Sequence, residues 1–434
     1  MARKLMAGIA LALMAGTASA RDVVIHAGRL IDGTGAAPRA QVSILIHDDR
    51  ITAIQPGYVA PVGAEVVDLS NATVLPGLID CHVHIMSAWH DGDPIRLAVT
   101  TTDYDALIDG VNDARATLLA GFTSIRDVGD PTIAVVALKK AVAKGEIPGP
   151  RMWVSGNPLG PTGGHGDPAN GLLPEFGEIQ SWKEALVDSP EQARQTVRRM
   201  WRDGVDLIKI MPSGGVMSIG DDPKLQLMAD DEIKAVIDTA HALGLKVAAH
   251  AHGKQAIDHT IALGVDSIEH GSYADASSYT LFKAHGTYLV PTMLVGQKVY
   301  ERARAHPEQL NPSTAAKALV VGPLLAKNLH DAHAAGVKIA FGTDTFGLSK
   351  HGENAQEFAI EVAAGLSPME AIMTATHNAA DLIGDLADIG SIQPGRYADI
   401  IAVTADPLKD VRVLERVDFV MKGGTVVKAA GKPL

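Results

Sequence analysis

The chain predicts an α/β protein: a (β/α)8 TIM-like barrel carrying a small β-sandwich domain formed from both termini. Three observations carry this reading. Both ends of the 434-residue chain are rich in short alternating strands and turns. The middle alternates eight apolar strand-like runs with helix-like stretches. No Gly-rich phosphate loop follows the first of those runs, which disfavours a doubly wound open sheet.

Residues 1–20 stand apart. Arg3 and Lys4 precede an apolar run over 5–15, and Ala18-Ser19-Ala20 closes it with small residues. This pattern predicts a secretory signal cleaved before Arg21, and so a periplasmic or secreted protein. The run is short for a membrane span, and no other segment offers one. Cleavage removes two cations and no anion, taking the formal charge from −12 to −14. That balance, with no basic block, argues against a nucleic-acid partner. Cys81, the single cysteine, rules out an internal disulfide and reads as a small core residue.

Strands are expected over 23–26, 41–46, 51–54 and 66–69, and again over 398–403 and 417–427, with turns such as Asp32-Gly33-Thr34-Gly35 between them. Residues 21–75 and 389–434 are therefore assigned to one domain and 76–388 to the barrel. The eight barrel runs are 78–82, 123–126, 152–154, 207–211, 247–251, 267–270, 288–292 and 338–343. The clearest helix covers 231–243. Ile233, Val236, Ile237 and Ala240 share one face, Asp230 is its expected N-cap and Gly244 its stop.

Barrel enzymes gather their reactive groups at the C-terminal ends of the strands. Here the first strand ends in His82 and His84, which at i and i+2 point to one face. The fourth carries Lys209 among apolar neighbours. The fifth ends at His250, the sixth at Glu269-His270-Gly271, and the eighth at Gly342-Thr343-Asp344. Each histidine alone, among seventeen, is more readily a satisfied core or surface residue. Together they describe a hydrolytic metal centre. A buried lysine loses its proton readily. Its neutral amine can take up carbon dioxide as a carbamate that bridges two metals, which would then lie roughly 3.5–4 Å apart. His26, His47, His241, His285, His306, His330 and His333 fall on terminal strands or helices and are assigned no chemistry.

The runs Leu75-Pro76-Gly77-Leu78-Ile79-Asp80-Cys81-His82-Val83-His84, Ala249-His250-Ala251-His252-Gly253, Ser267-Ile268-Glu269-His270-Gly271 and Gly342-Thr343-Asp344 resemble the amidohydrolase superfamily. So do the lysine strand and the closing segment 390–400. The resemblance spans nearly all the chain. It is closest to the metal-dependent Xaa-Pro (prolidase-like) and Xaa-Arg dipeptidases, a neighbourhood that includes ochratoxin-hydrolysing amidohydrolases.

That resemblance implies His82 and His84 on a first divalent metal, His250 and His270 on a second, and carboxylated Lys209 bridging them. Asp344 would bind the first metal and act as base, and His252 would contact a substrate carboxylate. Zinc suits these ligands, although manganese, cobalt and iron accept them too. His165, in Thr162-Gly163-Gly164-His165, is the candidate donor to the attacked carbonyl. Ser213 and Gly214 offer a hydroxyl and backbone N–H groups as a carboxylate cradle. The loop 87–93, with Ser87, Trp89 and His90, would line the acyl side. The expected substrate is a small peptide-like amide ending in a free amino acid, ochratoxin A included. A lactonase, a mononuclear deaminase or cyclic-amide hydrolase, and a metal-binding protein without turnover are the alternatives. Relatives suggest a homo-oligomer, possibly an octamer.

Overall fold

The computed structural model describes residues 21–87 and 99–434. The segment read as a secretory signal, and Trp89 and His90, lie outside the described residues.

Eight parallel strands form the centre: β5 (Leu78–Val83), β6 (Phe122–Asp127), β7 (Arg151–Val154), β8 (Leu207–Ile210), β9 (Lys246–Ala251), β10 (Ser267–His270), β11 (Tyr288–Val290) and β12 (Lys338–Ile339). They fall where the sequence placed them. Two seams close the ring. Leu159 bridges Ile210 beyond β7, and Asp206 N–H donates to Val154 at 2.9 Å. On the other side Cys81 N–H donates to Phe341 and Asp344 N–H to His82, at 2.8 and 2.7 Å. The ladder of β12 stops at Ile339, because Phe341 N–H turns away to Thr374.

The helix expected over 231–243 is Asp230–Ala242. Its N-cap is Ala229, not Asp230. Glu232 accepts the Ala229 N–H at 2.8 Å, while Asp230 takes hydrogen bonds from Gln226 and His259 instead. Ile233, Val236, Ile237 and Ala240 are buried, and Gly244 ends the helix at φ +76°.

The termini share one mixed sheet, ordered β16-β15-β14-β13-β4-β1-β2-β3. Its strands are β1 (Asp22–Leu30), β2 (Arg39–His47), β3 (Arg50–Pro56), β4 (Glu65–Pro76), β13 (Ile400–Val403), β14 (Phe419–Lys422), β15 (Thr425–Ala429) and β16 (Lys432–Pro433). Hydrogen bonding is continuous through it, so the sandwich-like layer is a single bonded sheet. The two chain ends meet where β4 pairs antiparallel with β13, Leu75 opposite Ile401. Only Gly77 separates β4 from the first barrel strand. A Cβ there would sit 2.0 Å from the Thr123 hydroxyl, so glycine alone fits this junction.

Between sheet and barrel lies a buried cluster that includes Leu75, Leu78, Ile401, Val420 and the ring ladder Phe122–Phe341–Phe358. Cys81 points away from His82, into a cluster with Ile79, Val290 and Ala340, and burial pushes its thiol up to about 12. Phe358 is fully buried. Phe358→Ala should therefore lower unfolding free energy by about 3–5 kcal/mol in a denaturant titration. An unchanged midpoint would mean that the ring ladder does not join the layers.

Candidate metal centre

The residues predicted from five separate strands do converge. His82, His84, His165, Lys209, His250, His252, His270 and Asp344 all line one cavity of about 270 Å³. His82, His270 and Asp344 bring ligand atoms within 4.8 Å of one another, as do His250, His252 and His270. His84 Nε2 lies 3.2 Å from Asp344 Oδ1, and His82 Nε2 lies 3.4 Å from it. The described residues thus hold two His/Asp clusters that share His270.

Outer partners fix the rings. His82 Nδ1 is 2.7 Å from Glu269 Oε2, and His84 Nδ1 is 2.7 Å from the Gly129 carbonyl. His250 Nε2 is 3.2 Å from the Gly214 carbonyl. All three partners only accept, so the facing nitrogen must carry the proton. His270 Nδ1 lies 2.6 Å from Thr292 Oγ1, whose own proton goes to the Pro291 carbonyl at 2.8 Å. Nδ1 is therefore the donor there too. Four rings keep a lone pair on the opposite nitrogen: Nε2 of His82, His84 and His270, and Nδ1 of His250. This is the donor set that divalent metals take from imidazole.

The electrostatics agree. Burial, then Lys209, pushes His82 down to about 4. Burial, before neighbouring histidines, takes His250 and His270 well below their ordinary value. Burial and then His165 lower His252 to about 3. His84 is raised despite its burial, because the Asp344 carboxylate faces its Nε2. Burial would also raise Asp344, but His82 and His84 hold it below the usual carboxylate range. Lys209 is 1% exposed, and burial lowers its amine to about 8.

Several supporting residues escaped sequence reading. Arg126 donates to Glu269 at 2.8 Å, to Ser267 at 3.0 Å and to the Cys81 carbonyl at 2.6 Å. Asp80 accepts from His82 N–H, from the Thr343 N–H and hydroxyl, and from Asn354. Buried His351 contacts the His84 carbonyl at 3.1 Å. The alternating apolar pattern of a barrel strand gives little sign of such partners. Asp80 lies two residues before His82 in the same apolar run, and a carboxylate at that place was the available clue.

One expectation changes. Ser213 and Gly214 do not line the cavity. The Gly214 N–H goes to Leu225 and the Gly215 N–H to Asp221, while Ser213 donates to Gly214 and accepts from His252 N–H. Their donors are spent inside the loop, so they form no carboxylate cradle. His165 sits in the cavity, stacked on His250 at 4.3 Å. The far wall is apolar: Val216 and Met217, Val295 and Val299, Val321 and Leu325, with Phe346.

Residues 73–427 match the model of the amidohydrolase family. The chain belongs to that family. A solved Xaa-Pro dipeptidase with methionine bound in its active site is similar, at 35% identity and TM-score 0.90, covering 94% of this chain and 100% of its own. A prolidase complexed with N-methylphosphonate-L-proline has 32% identity and TM-score 0.85, with the same coverage. Ochratoxinase of Aspergillus niger is 33% identical over 444 residues, covering 96% of this chain and 89% of its own length; its crystal structure gives TM-score 0.83. Family membership and the two clusters make the protein a metal-dependent hydrolase.

Arg126→Met should lower stability by about 3–5 kcal/mol, because Glu269 is left buried without its cation. The same variant should lose metal affinity by about 10–100-fold in a chelator competition as His82 loses its partner's anchor. Lys209 offers a second check, on metal-free protein. The folded chain loses this proton near 8 and the unfolded chain near 10.5. Between those values the unfolded state binds more protons, so the contribution of this group to stability rises with pH. Wild type should gain on Lys209→Met across that window in urea titrations. A constant difference would refute the depressed lysine.

Proposed function

We propose that the protein hydrolyses the amide bond to a C-terminal amino acid in small peptide-like substrates, dipeptides first. The observation that carries this reading is the placement of Asp344 beside His82 and His84 in the cavity that also holds His250, His270 and Lys209. The similar dipeptidase, prolidase and ochratoxinase chains support it. Ochratoxin A, an aromatic acyl group on phenylalanine, has the same amide-plus-carboxylate form and suits the apolar far wall.

In this reading His82, His84 and Asp344 would hold one divalent cation and His250 and His270 a second, and Lys209, carboxylated by carbon dioxide, would be a ligand as well. Such cations, zinc by ligand chemistry, would supply Lewis acidity to the carbonyl and to water near neutral pH. Asp344 accepts the proton released as water adds to the carbonyl carbon. It then delivers that proton to the leaving nitrogen, which departs as an amine. His252, held by Ser272 at 2.7 Å through Nδ1, keeps Nε2 for the substrate carboxylate. His165 contacts the substrate from its place against His250. Cleavage of the 1–20 signal and export, domains at 21–75 with 389–434 and at 76–388, and a homo-oligomer complete the proposal. Among the described residues no helix is long and apolar enough to cross a membrane.

The test is amino-acid release from dipeptides, N-acyl amino acids and ochratoxin A, with metal and bicarbonate supplied. Chelation should abolish release, and Asp344→Asn should lower kcat by about 10²–10⁴-fold. Release from none of them by protein carrying two metal equivalents would overturn the reading and direct attention to lactones and cyclic amides.

A further inference from the structure

Around the cavity, three segments distant in sequence meet in one polar arrangement that the proposed chemistry leaves unused. The helix Pro312–Ala334 carries Lys317 onto the loop after β8. Its Nζ donates to the carbonyls of Gly215 and Ser218 at 2.7 and 2.6 Å, and to Asp221 Oδ1 at 2.9 Å. The two side chains are 14% and 1% exposed. Asp221 also accepts the Gly215 N–H at 3.2 Å and lies 2.6 Å from the Ser218 hydroxyl through either oxygen. Ser218 Oγ is in turn 2.8 Å from His165 Nδ1. His165 packs directly on Gly215, where a Cβ would fall 2.2 Å from Nδ1.

Counting protons orders this chain. Paired with Lys317, the Asp221 carboxylate only accepts. Ser218 has one hydroxyl proton and gives it to Asp221, so its oxygen accepts from His165. A buried ion pair adds little net stability over an apolar pair of similar size. Its effect here is placement.

We infer that Lys317, Asp221 and Ser218 are positioning residues that hold the His165 ring and fix Nδ1–H, so that Nε2 is the nitrogen presented to substrate. In the neutral ring Nε2 carries a lone pair and accepts from a substrate N–H. Donation from Nε2 to the carbonyl oxygen, the role read from sequence, would need a second ring proton. The inference rests on the proposed amide hydrolysis only for its kinetic readout.

The experiment compares Ser218→Ala, Ser218→Thr, Gly215→Ala, His165→Ala and the Ser218→Ala/His165→Ala double variant, all as metal-loaded full chains. Ser218→Ala should lose about 10–100-fold in kcat/KM with metal content and unfolding midpoint retained. Ser218→Thr, which keeps the hydroxyl, should recover most of it. In the His165→Ala background, removing Ser218 should cost about twofold or less, since the two act as one unit. Crystal structures of Ser218→Ala and Gly215→Ala should show the His165 ring turned from its wild-type orientation. Additive losses in the double variant, or an unmoved ring, would overturn the inference. If wild type cleaves no amide in the panel, the proposed function fails separately, and ring orientation without Ser218 still decides this point.

Discussion

Glu269 sits fully buried inside the barrel with one oxygen on Arg126 and the other on His82. Burial pushes its carboxyl up, but Arg126 and then His82 hold it well below the ordinary range. Arg126 also grips the Cys81 carbonyl, so one cation joins β5, β6 and β10 across the barrel. A charge of this kind is tolerated in such a place only when every oxygen is met. Here the arrangement does more than satisfy itself. It decides which nitrogen of His82 is free, and so the geometry of the centre follows from an ion pair beneath it.

The strand ends above that pair are bent out of ordinary backbone space. His270, Thr292 and Asp344 have φ of 68°, 50° and 53°. A β-branched residue such as Thr292 adopts this region at a cost of about 1–3 kcal/mol. Buried carboxylates hold two of the three bends. Glu357 accepts the N–H groups of Met293 and Leu294 just after Thr292, and Asp80 takes the Thr343 N–H and hydroxyl just before Asp344. Strain is thus stored beside the reactive side chains, and packed carboxylates keep it there.

The cavity divides its labour by strand and crossover. Barrel strands and the loops just past their ends supply the imidazoles, the lysine and the aspartate, while the two helices between β11 and β12 supply an apolar wall. Gly296 makes that wall close, since a Cβ there would meet Leu325 at 2.1 Å. A low-dielectric wall opposite a cluster of charges strengthens every electrostatic contact between them. It also sets the size of side chain that a substrate can bring.

The sequence by itself determined the eight-strand repeat, the sheet shared by both ends, and the recurrence of His82, His84, Lys209, His250, His270 and Asp344 at strand ends. Each follows from local periodicity, because residues two apart on a strand share a face and barrel strands present equivalent ends to one mouth. Tertiary structure alone decided the partners. Glu269 against Arg126, Asp80 against Asn354, and Lys317 against the loop after β8 are separated by 143, 274 and 102 residues. No periodicity encodes such pairings. The same limit explains why the backbone donors of Ser213 and Gly214 were legible as present but not as already used. Whether a donor is free depends on which distant acceptor the closed barrel brings to it.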